Sequence, residues 1–268
     1  MPEHGTGRSG PLDELVQLVR RLLGPGGCPW DQAQTHETLK RHLLEETYEV
    51  LEAIDSGDTA KLREELGDLL LQPLMHAEMA RLAGGFDTDD VARAVVDKLV
   101  SRHPHVFGDV EAEDADAVLR NWDRIKKAEK GGAPESILTG VPVALPALLR
   151  AYEVSKRAAR TGFEWPSMEA LRAKVNEERA ELDEALASGD AARIEAELGD
   201  LLFAVVNLAR WAKVEPEDAL RRMVDRFSAR FRHMEASAER PLDQLSPEQW
   251  DALWVAAKAR EPGAPNQG

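Results

Sequence analysis

Cysteine is almost absent from this chain, since Cys28 is the one cysteine among 268 residues. A single thiol excludes an internal disulfide framework and is typical of a protein from a reducing compartment. Aromatic residues make up only 5%, and no segment alternates strictly between apolar and polar residues, which argues against a β-sheet protein. No run approaches the roughly 20 apolar residues of a membrane span, and no apolar core typical of a signal peptide is present near the start. We therefore expect an all-α protein in the cytoplasm.

Positive charge is also in short supply. The chain has 34 lysines and arginines against 49 aspartates and glutamates, and its formal net charge is -15. Such a surface repels phosphate backbones and anionic lipids at long range, which argues against nucleic-acid and membrane partners. A polyanionic substrate would therefore need metal ions or a local basic cluster in order to bind.

One long segment of the sequence occurs twice. The run EETYEVLEAIDSGDTAKLREELGDLL, which begins at Glu45, aligns without a gap on EERAELDEALASGDAARIEAELGDLL, which begins at Glu177, 132 positions later. VDKLVSR at 96–102 likewise resembles VDRFSAR at 224–230. Both copies carry apolar residues at helical spacings of three and four. The chain is therefore predicted to be a tandem duplication of one helical domain.

A second pairing lies further along each copy. Trp122 with Lys126 matches Trp254 with Lys258 in a W-x-x-x-K pattern, although Trp122 could instead be aligned with Trp250. Between the copies, glycine and proline are concentrated in KGGAPESILTGVPVALP at 130–146, which predicts the domain boundary. We predict a first domain at 1–130, a linker at 131–145, a second domain at 146–262 and a frayed tail at 263–268.

The repeated segment is predicted to form an antiparallel helical hairpin. DSGD at 55–58 supplies the turn, with Gly57 for unusual backbone angles and Asp58 or Thr59 as the N-cap of the second helix. On a helical wheel each helix of the hairpin has an apolar stripe that we expect to be buried. The stripes consist of Leu43, Thr47, Val50, Leu51 and Ile54 in one helix and Leu62, Leu66, Leu69 and Leu70 in the other.

Four carboxylates accompany these stripes in each copy. Glu46 and Glu49 lie about 60 and 120 degrees to one side of the first stripe, and Glu65 and Asp68 lie at the same angles beside the second. Both pairs are also equally far from Gly57, at about 14 Å along their helices. In an antiparallel hairpin all four carboxylates should therefore converge on one half-buried spot.

Converging carboxylates favour a metal site over an ordinary solvated helix face. Like charges within about 6 Å destabilise a fold unless a cation lies among them, and hard oxygen ligands suit Mg²⁺ or Mn²⁺. A single E-x-x-E is most simply a solvated face, but the duplication of the whole arrangement favours the metal. The candidate metal ligands are Glu46, Glu49, Glu65 and Asp68 in the first copy and Glu178, Glu181, Glu197 and Asp200 in the second.

The pattern E-E-x-x-E followed by E-x-G-D, present twice together with CPWD, RHPHVF and GDLLFAVVNLAR, resembles MazG nucleoside triphosphate pyrophosphohydrolases of the two-domain bacterial type. The resemblance covers nearly the whole chain. It implies Mg²⁺-dependent hydrolysis of NTPs and dNTPs to monophosphates and pyrophosphate, with Mn²⁺ as a possible substitute. It also implies an all-helical fold and homodimers in which hairpins pair into four-helix bundles.

The resemblance assigns roles to particular residues. It makes Glu178, Glu181, Glu197 and Asp200 the catalytic metal ligands, with the second copy as the main catalyst. A glutamate outside the ligands could serve as general base, and Glu177 or Glu45 is the candidate. Contacts with the triphosphate and the base would come from Lys174, Arg193, Arg226, Arg230, Trp254 and Lys258, with Lys126 nearby.

Two departures from the family pattern affect this assignment. The family favours lysine at positions 193 and 226, where this chain has arginine, which keeps the charge but changes the hydrogen-bonding geometry. Ala196 stands where the family run has a glutamate, so one possible auxiliary ligand is missing.

Other functions remain open from the sequence. Within the same fold the substrate could be narrower, such as dUTP, phosphoribosyl-ATP or an alarmone. The chain could alternatively be a non-enzymatic acidic helical protein that binds metal ions or a basic partner. Release of pyrophosphate from mixed NTPs separates the enzyme from the binding protein.

Overall fold

The computed structural model describes residues 10–108, 110, 114, 118, 121, 122, 125 and 136–260. All regular structure in these residues is helical, which confirms the expected all-α class. The chain divides into two compact units, residues 1–133 and 134–268. Lys126, residues 131–135 of the predicted linker and the predicted tail at 263–268 lie outside the described residues.

Each unit begins with a 13-residue helix and continues with a long helical hairpin. The first unit contains α1 (Pro11–Leu23), α2 (Pro29–Gln32), α3 (His36–Ser56), α4 (Thr59–Leu82), α5 (Thr88–Arg102) and α6 (Pro104–Phe107). The second contains α7 (Ala147–Ala159), α8 (Met168–Ser188), α9 (Ala191–Trp211), α10 (Pro216–Ser237), a 3-10 turn (Leu242–Gln244) and α11 (Pro247–Ala259). The first hairpin is α3 with α4, and the second hairpin is α8 with α9. Within the described residues, no helix has both the length and the apolar character that a bilayer span requires.

The same turn closes both hairpins. Gly57 and Gly189 each adopt the left-handed conformation with φ 70°, which glycine reaches without the steric cost of a Cβ atom. The next residue, Asp58 or Asp190, caps the following helix by accepting hydrogen bonds from two backbone N–H groups. These contacts confirm the predicted turn, with Asp58 as the N-cap.

The core of the first unit lies at the end of the hairpin far from this turn. Val19 and Leu23 of α1 pack with Leu39 of α3 and with Leu74 and Met75 of α4. In the second unit α7 packs against α9. In the first unit α1 therefore covers the part of the hairpin that is far from the turn, and Glu46, Glu49 and Glu65 lie closer to the turn.

The apolar stripes of the first hairpin are mostly open to solvent, so the prediction that they are buried is wrong for the single chain. Val50 is buried, but Leu43, Thr47 and Ile54 are exposed. On α4, Leu66 and Leu70 are also exposed. The physical reason is that each helix of the hairpin buries only one flank of the other. The helix α1 packs on the part of the hairpin far from the turn and leaves these leucines uncovered.

The end of the predicted linker is attached to the second unit. The Arg157 guanidinium on α7 donates hydrogen bonds to the carbonyl oxygens of Ile137, Thr139 and Gly140, at 3.4, 2.7 and 3.2 Å. Charge-assisted bonds of this kind are stronger than neutral ones. They hold residues 137–140 against the helix that opens the second unit.

Candidate metal centres

Three carboxylates meet on each hairpin. In the first cluster, Glu46 and Glu49 of α3 and Glu65 of α4 each place an oxygen within 4.8 Å of the others. In the second cluster, Glu178 and Glu181 of α8 and Glu197 of α9 do the same. The structure thus brings together three of the four predicted ligands in each copy.

The fourth predicted ligand of each copy lies outside its cluster. Asp68 and Asp200 follow Glu65 and Glu197 by three residues on the same helix, and the aspartate side chain is one methylene shorter than that of glutamate. Asp68 is nevertheless close enough for its charge to raise the pKa of Glu46. Asp68 therefore acts on the first cluster through its charge, although its carboxylate is not one of the three that meet there.

Repulsion and burial raise the pKa values of carboxyl groups in both clusters. The pKa of Glu46 is raised by burial and by the charges of Asp68, Glu49 and Glu65. That of Glu65 is raised by burial and by the charge of Glu49. These shifts mean that the charged clusters cost folding free energy, which a bound cation would recover.

In the second cluster, Glu181 and Glu178 interact directly. A hydrogen bond from the protonated carboxyl group of Glu181 to Glu178, burial and the charge of Glu178 raise the pKa of Glu181. The Glu178 side chain is only 8% exposed, so this is the most deeply placed carboxylate of the two clusters. If Glu178 lost a bound cation, water could compensate for the loss less than at the other described cluster carboxylates, because water reaches this side chain least.

Two of the predicted substrate-binding cations lie directly on the second cluster. Lys174 Nζ is 2.8 Å from Glu178 Oε1 and 2.7 Å from Glu177 Oε1. Both ion pairs raise the pKa of Lys174. Arg193 Nε lies 3.7 Å from Glu197 Oε1. Glu177, the candidate general base, is therefore held in an ion pair through its Oε1.

The other candidate base is less suited to that role. Arg41 Nε donates to Glu45 Oε1 at 2.7 Å, and His42 lies 3.3 Å from the same carboxylate. The hydrogen bond from Arg41 lowers the pKa of Glu45. A lower pKa makes a carboxylate a weaker base, which argues against Glu45 in that role.

The remaining predicted substrate contacts form a separate group on α10 and α11. The Arg230 guanidinium carbon lies 5.3 Å from the centre of the Trp254 ring, which also packs against Phe227. Arg226 Nη2 contacts the Met223 sulfur at 3.4 Å, and Lys258 is exposed.

The first unit repeats the stacked arginine and tryptophan. The Arg102 guanidinium carbon lies 5.3 Å from the centre of the Trp122 ring, as Arg230 does over Trp254. Trp250 instead packs against Phe231. The shared geometry resolves the open alignment in favour of Trp122 with Trp254.

Sequence reasoning missed one ion pair that crosses each hairpin. Arg193 Nη2 lies 3.2 Å from Glu184 Oε2, and Lys61 Nζ lies 3.6 Å from Glu52 Oε2. Both residues of each pair recur at the spacing of 132 that relates the two copies. The ion pair could have been predicted from the sequence, because a basic position and an acidic position that are both repeated in the two copies suggest a contact.

Glu164 anchors the loop that leads into α8 and hence into the second cluster. Its carboxylate accepts two hydrogen bonds from Arg210, at 2.6 and 2.7 Å, and one from Trp211 Nε1 at 2.8 Å. The Arg210 hydrogen bonds, with smaller contributions from Trp211 and the Trp165 backbone, lower the pKa of Glu164 to about 2.

We expect Glu164→Gln to destabilise the protein at neutral pH by an amount that disappears in acid. The folded-state pKa lies below the ordinary value of 4.5, so the stabilisation is present above that value and is lost as the pH falls toward about 2. Urea unfolding of both proteins from pH 7 to pH 3 measures the difference. Glu195→Gln, at an exposed position on α9, is the control. An equal difference at all pH values would contradict the ion-pair explanation.

The fold and clusters together define the class of protein: an all-α chain with two copies of a hairpin that could bind a metal ion. A family model described as the MazG nucleotide pyrophosphohydrolase domain matches the chain twice, at residues 34–107 and 166–235. Each match contains one complete hairpin and its carboxylate cluster. Trp122, Trp254 and Lys258 lie outside the matched ranges.

Relatives are similar over most of the chain. A Thermotoga maritima protein named nucleoside triphosphate pyrophosphohydrolase/pyrophosphatase MazG is 42% identical over 250 residues, 92% of this chain and 95% of the relative. An Escherichia coli K12 nucleoside triphosphate pyrophosphohydrolase is 43% identical over 260 residues, 93% of this chain and 98% of the relative. A Mycolicibacterium smegmatis protein of that name is 35% identical over 254 residues, 92% of this chain and 71% of the relative. The chain belongs to the MazG nucleotide pyrophosphohydrolase family.

Proposed function

We propose that this protein hydrolyses nucleoside triphosphates, both NTPs and dNTPs, to monophosphates and pyrophosphate with the help of Mg²⁺. The observation that carries the proposal is the second cluster, in which three carboxylates and two cations meet on a hairpin matched by the family model. Two relatives named as nucleoside triphosphate pyrophosphohydrolases support the activity. We propose a cytoplasmic role in removing unwanted nucleotides from the pool.

The donor set fits a hard divalent cation. Octahedral Mg²⁺ holds its oxygen ligands at about 2.1 Å, which places them about 3 to 4.2 Å from one another. The three oxygens of each cluster lie within 4.8 Å of one another, so small side-chain movements would complete that geometry. Glu178, Glu181 and Glu197 would hold the ion, and Asp200 would join them by a change of rotamer. Mn²⁺, which accepts the same ligands, would substitute.

More than one ion is expected at each working site. Four carboxylates contribute about four negative charges, and a triphosphate brings roughly four more, so a single divalent ion leaves a strong excess of negative charge. Divalent ions held there would offset the triphosphate charge and polarise the α-phosphorus.

The chain itself supplies the remaining groups of the proposed reaction. Glu177 would take a proton from the attacking water. The water oxygen would bond to the α-phosphorus as the bond from that phosphorus to the oxygen bridging the α- and β-phosphorus breaks. The products are the nucleoside monophosphate and pyrophosphate. Lys174, Arg193, Arg226 and Arg230 would hold phosphate oxygens and stabilise the leaving pyrophosphate.

Base recognition is proposed for the group on α10 and α11. Trp254 would stack on the base, with Lys258 near the phosphates, and Lys126 would act correspondingly in the first copy. Stacking reads no hydrogen-bond pattern and therefore tolerates any base. This favours a broad substrate range over a single nucleotide.

We expect each of the four common NTPs to yield monophosphate and pyrophosphate in equal amounts. Anion-exchange chromatography of the products, with each NTP and dUTP supplied separately, measures the ratio and the range. Cleavage of one nucleotide alone would favour the narrower pyrophosphohydrolase. Diphosphate with inorganic phosphate would contradict attack at the α-phosphorus.

We also propose that the open flanks of the hairpins are covered by a second copy of this chain. Leu66, Leu70, Leu198 and Leu202 are each between 42% and 48% exposed. These leucines recur at helical spacing beside both clusters, which is the pattern of a helix that packs in a four-helix bundle. A homodimer built from hairpins would bury them.

The chain should therefore sediment as a dimer at micromolar concentration. Leu198→Asp with Leu202→Asp should shift it toward the 29.6 kDa monomer, because charges replace apolar groups at the proposed interface. Leu12→Asp, at an exposed position of α1 outside the two hairpins' own helices, is the matched control. A wild-type protein that sediments only as a monomer contradicts the proposal.

A further inference from the structure

We propose that Lys174 is a resident counter-ion of the second cluster, which it leaves when a metal ion and a nucleotide bind together, whereas the first cluster accepts a metal ion without nucleotide. The inference rests on the proposed function, because it concerns how the same carboxylates take up their cation. It assigns different binding behaviour to two clusters with the same carboxylates.

Lys174 contacts the carboxylate of the second cluster that is least exposed to solvent. Its ammonium nitrogen is 2.8 Å from Oε1 of Glu178, whose side chain is 8% exposed, and a divalent ion on that oxygen would lie about 2.1 Å away. Two cations so close to one oxygen repel each other strongly where water is largely excluded. Metal binding through this oxygen of Glu178 would therefore displace the ammonium.

Arg193 adds a second fixed cation to the same cluster. Its guanidinium lies 3.7 Å from Glu197 Oε1 and is held in place by Glu184 at 3.2 Å. Arginine remains protonated at any ordinary pH. With Lys174 and Arg193 in contact, the second cluster is already partly neutralised, which weakens its attraction for a free metal ion.

The first cluster has a different set of neighbours. His42 stands in place of Lys174, and it contacts Glu45, which is not a cluster member, at 3.3 Å. Lys61 stands in place of Arg193, and its ion pair is with Glu52. The charges of His42 and Lys61 act on Glu46 and Glu65, respectively, without an ion pair. Within the described part of the chain, no ion pair links Glu46, Glu49 or Glu65 to a lysine or arginine.

The released ammonium of Lys174 explains the coupling with nucleotide. Lys174 lies one helical turn before Glu178, so after leaving the carboxylate it remains beside the cluster with no strong partner but Glu177. A phosphate oxygen is a suitable new partner. Metal and nucleotide should therefore bind the second cluster more tightly together than either does alone.

The test measures Mn²⁺ binding by electron paramagnetic resonance. The measurement is made at pH 8, where an ordinary imidazole is neutral. The full-length chain is used, with one cluster silenced at a time. Glu46→Gln with Glu65→Gln leaves the second cluster to be measured, and Glu178→Gln with Glu197→Gln leaves the first. Each is titrated with and without α,β-methylene-ATP, a nucleotide that cannot be cleaved between its α- and β-phosphorus.

In the absence of nucleotide, Lys174→Met should tighten Mn²⁺ binding at the second cluster about tenfold, because a competing unit charge is removed. It should also abolish most of the improvement that the nucleotide brings. Lys174→Arg keeps the charge, and Arg172→Met removes a cation from an exposed position on the same helix; neither should tighten binding. His42→Lys should weaken Mn²⁺ binding at the first cluster by about the same factor.

Weaker or unchanged Mn²⁺ binding in Lys174→Met, with helix content preserved by circular dichroism, would overturn the counter-ion proposal and make Lys174 a positioning residue. Lys174→Gln serves as the second neutral variant if the methionine variant does not fold. Binding at neither cluster in any variant would instead contradict the proposed function itself, so the two failures are distinguishable.

Discussion

Glu178→Gln should lower the rate of pyrophosphate release by at least about 100-fold, which corresponds to the loss of about 2.7 kcal/mol of transition-state stabilisation. The carboxylate is buried within the second cluster, touches Lys174 and raises the pKa of Glu181. Replacing it with an amide removes one charged ligand and leaves the Lys174 ammonium without its deepest partner. Steady-state rates with saturating Mg²⁺ and ATP measure the effect.

The equivalent change in the first copy, Glu46→Gln, should cost much less. The second copy has Arg226 and Arg230 where the first has Lys98 and Arg102, and a guanidinium can hold two phosphate oxygens where an ammonium holds one. The variant that carries both Glu46→Gln and Glu178→Gln should be only slightly slower than Glu178→Gln alone. A Glu178→Gln enzyme that keeps half of the wild-type rate would show that the first copy contributes equally.

Millimolar Mg²⁺ or Mn²⁺ should raise the melting temperature of the protein. The cation binds only the folded clusters, where burial and mutual repulsion raise the pKa values of Glu46 and Glu65 and the contact with Glu178 raises that of Glu181. At a concentration 100 times the dissociation constant, one site adds about 2.7 kcal/mol to the free energy of unfolding. The gain should shrink as the pH falls, because protonated carboxylates bind metal poorly. Differential scanning calorimetry with and without EDTA measures it.

Variants identify where this stabilisation arises. With α,β-methylene-ATP present, so that the second site takes up its metal ion, Asp200→Asn should remove the gain from that site if Asp200 joins the ligands, and Glu195→Gln on the same helix should leave the gain intact. A melting temperature that stays constant across millimolar Mg²⁺ would rule out metal binding by the folded clusters.

The sequence predicted local structure well where the signal was itself local. Gly57 and Asp58 specify a left-handed residue followed by a side-chain cap, and both are found as predicted. Helical periodicity then placed Glu46, Glu49 and Glu65 on facing shoulders of one hairpin. Because these relations depend only on helix geometry and a two-residue turn, they needed no knowledge of the rest of the chain.

Burial and side-chain pairing were harder to predict. Leu43 and Leu66 have the spacing of core residues but are exposed, because burial depends on which helices cover them and α1 covers only the far half of the hairpin. The ion pair between Arg193 and Glu184 depends on rotamers across two helices. Asp200 lies outside the second cluster, and a helical wheel does not resolve the difference of one methylene between an aspartate and a glutamate side chain.

The central claim is that the hairpin carboxylates act through a divalent metal ion in cleaving nucleoside triphosphates. The most direct test is pyrophosphate release from mixed NTPs by the same protein preparation, first with Mg²⁺, then with EDTA, and then with Mg²⁺ restored in excess. The account predicts release that stops with EDTA and returns with Mg²⁺. Equal release under all three conditions, or none under any of them, would contradict it.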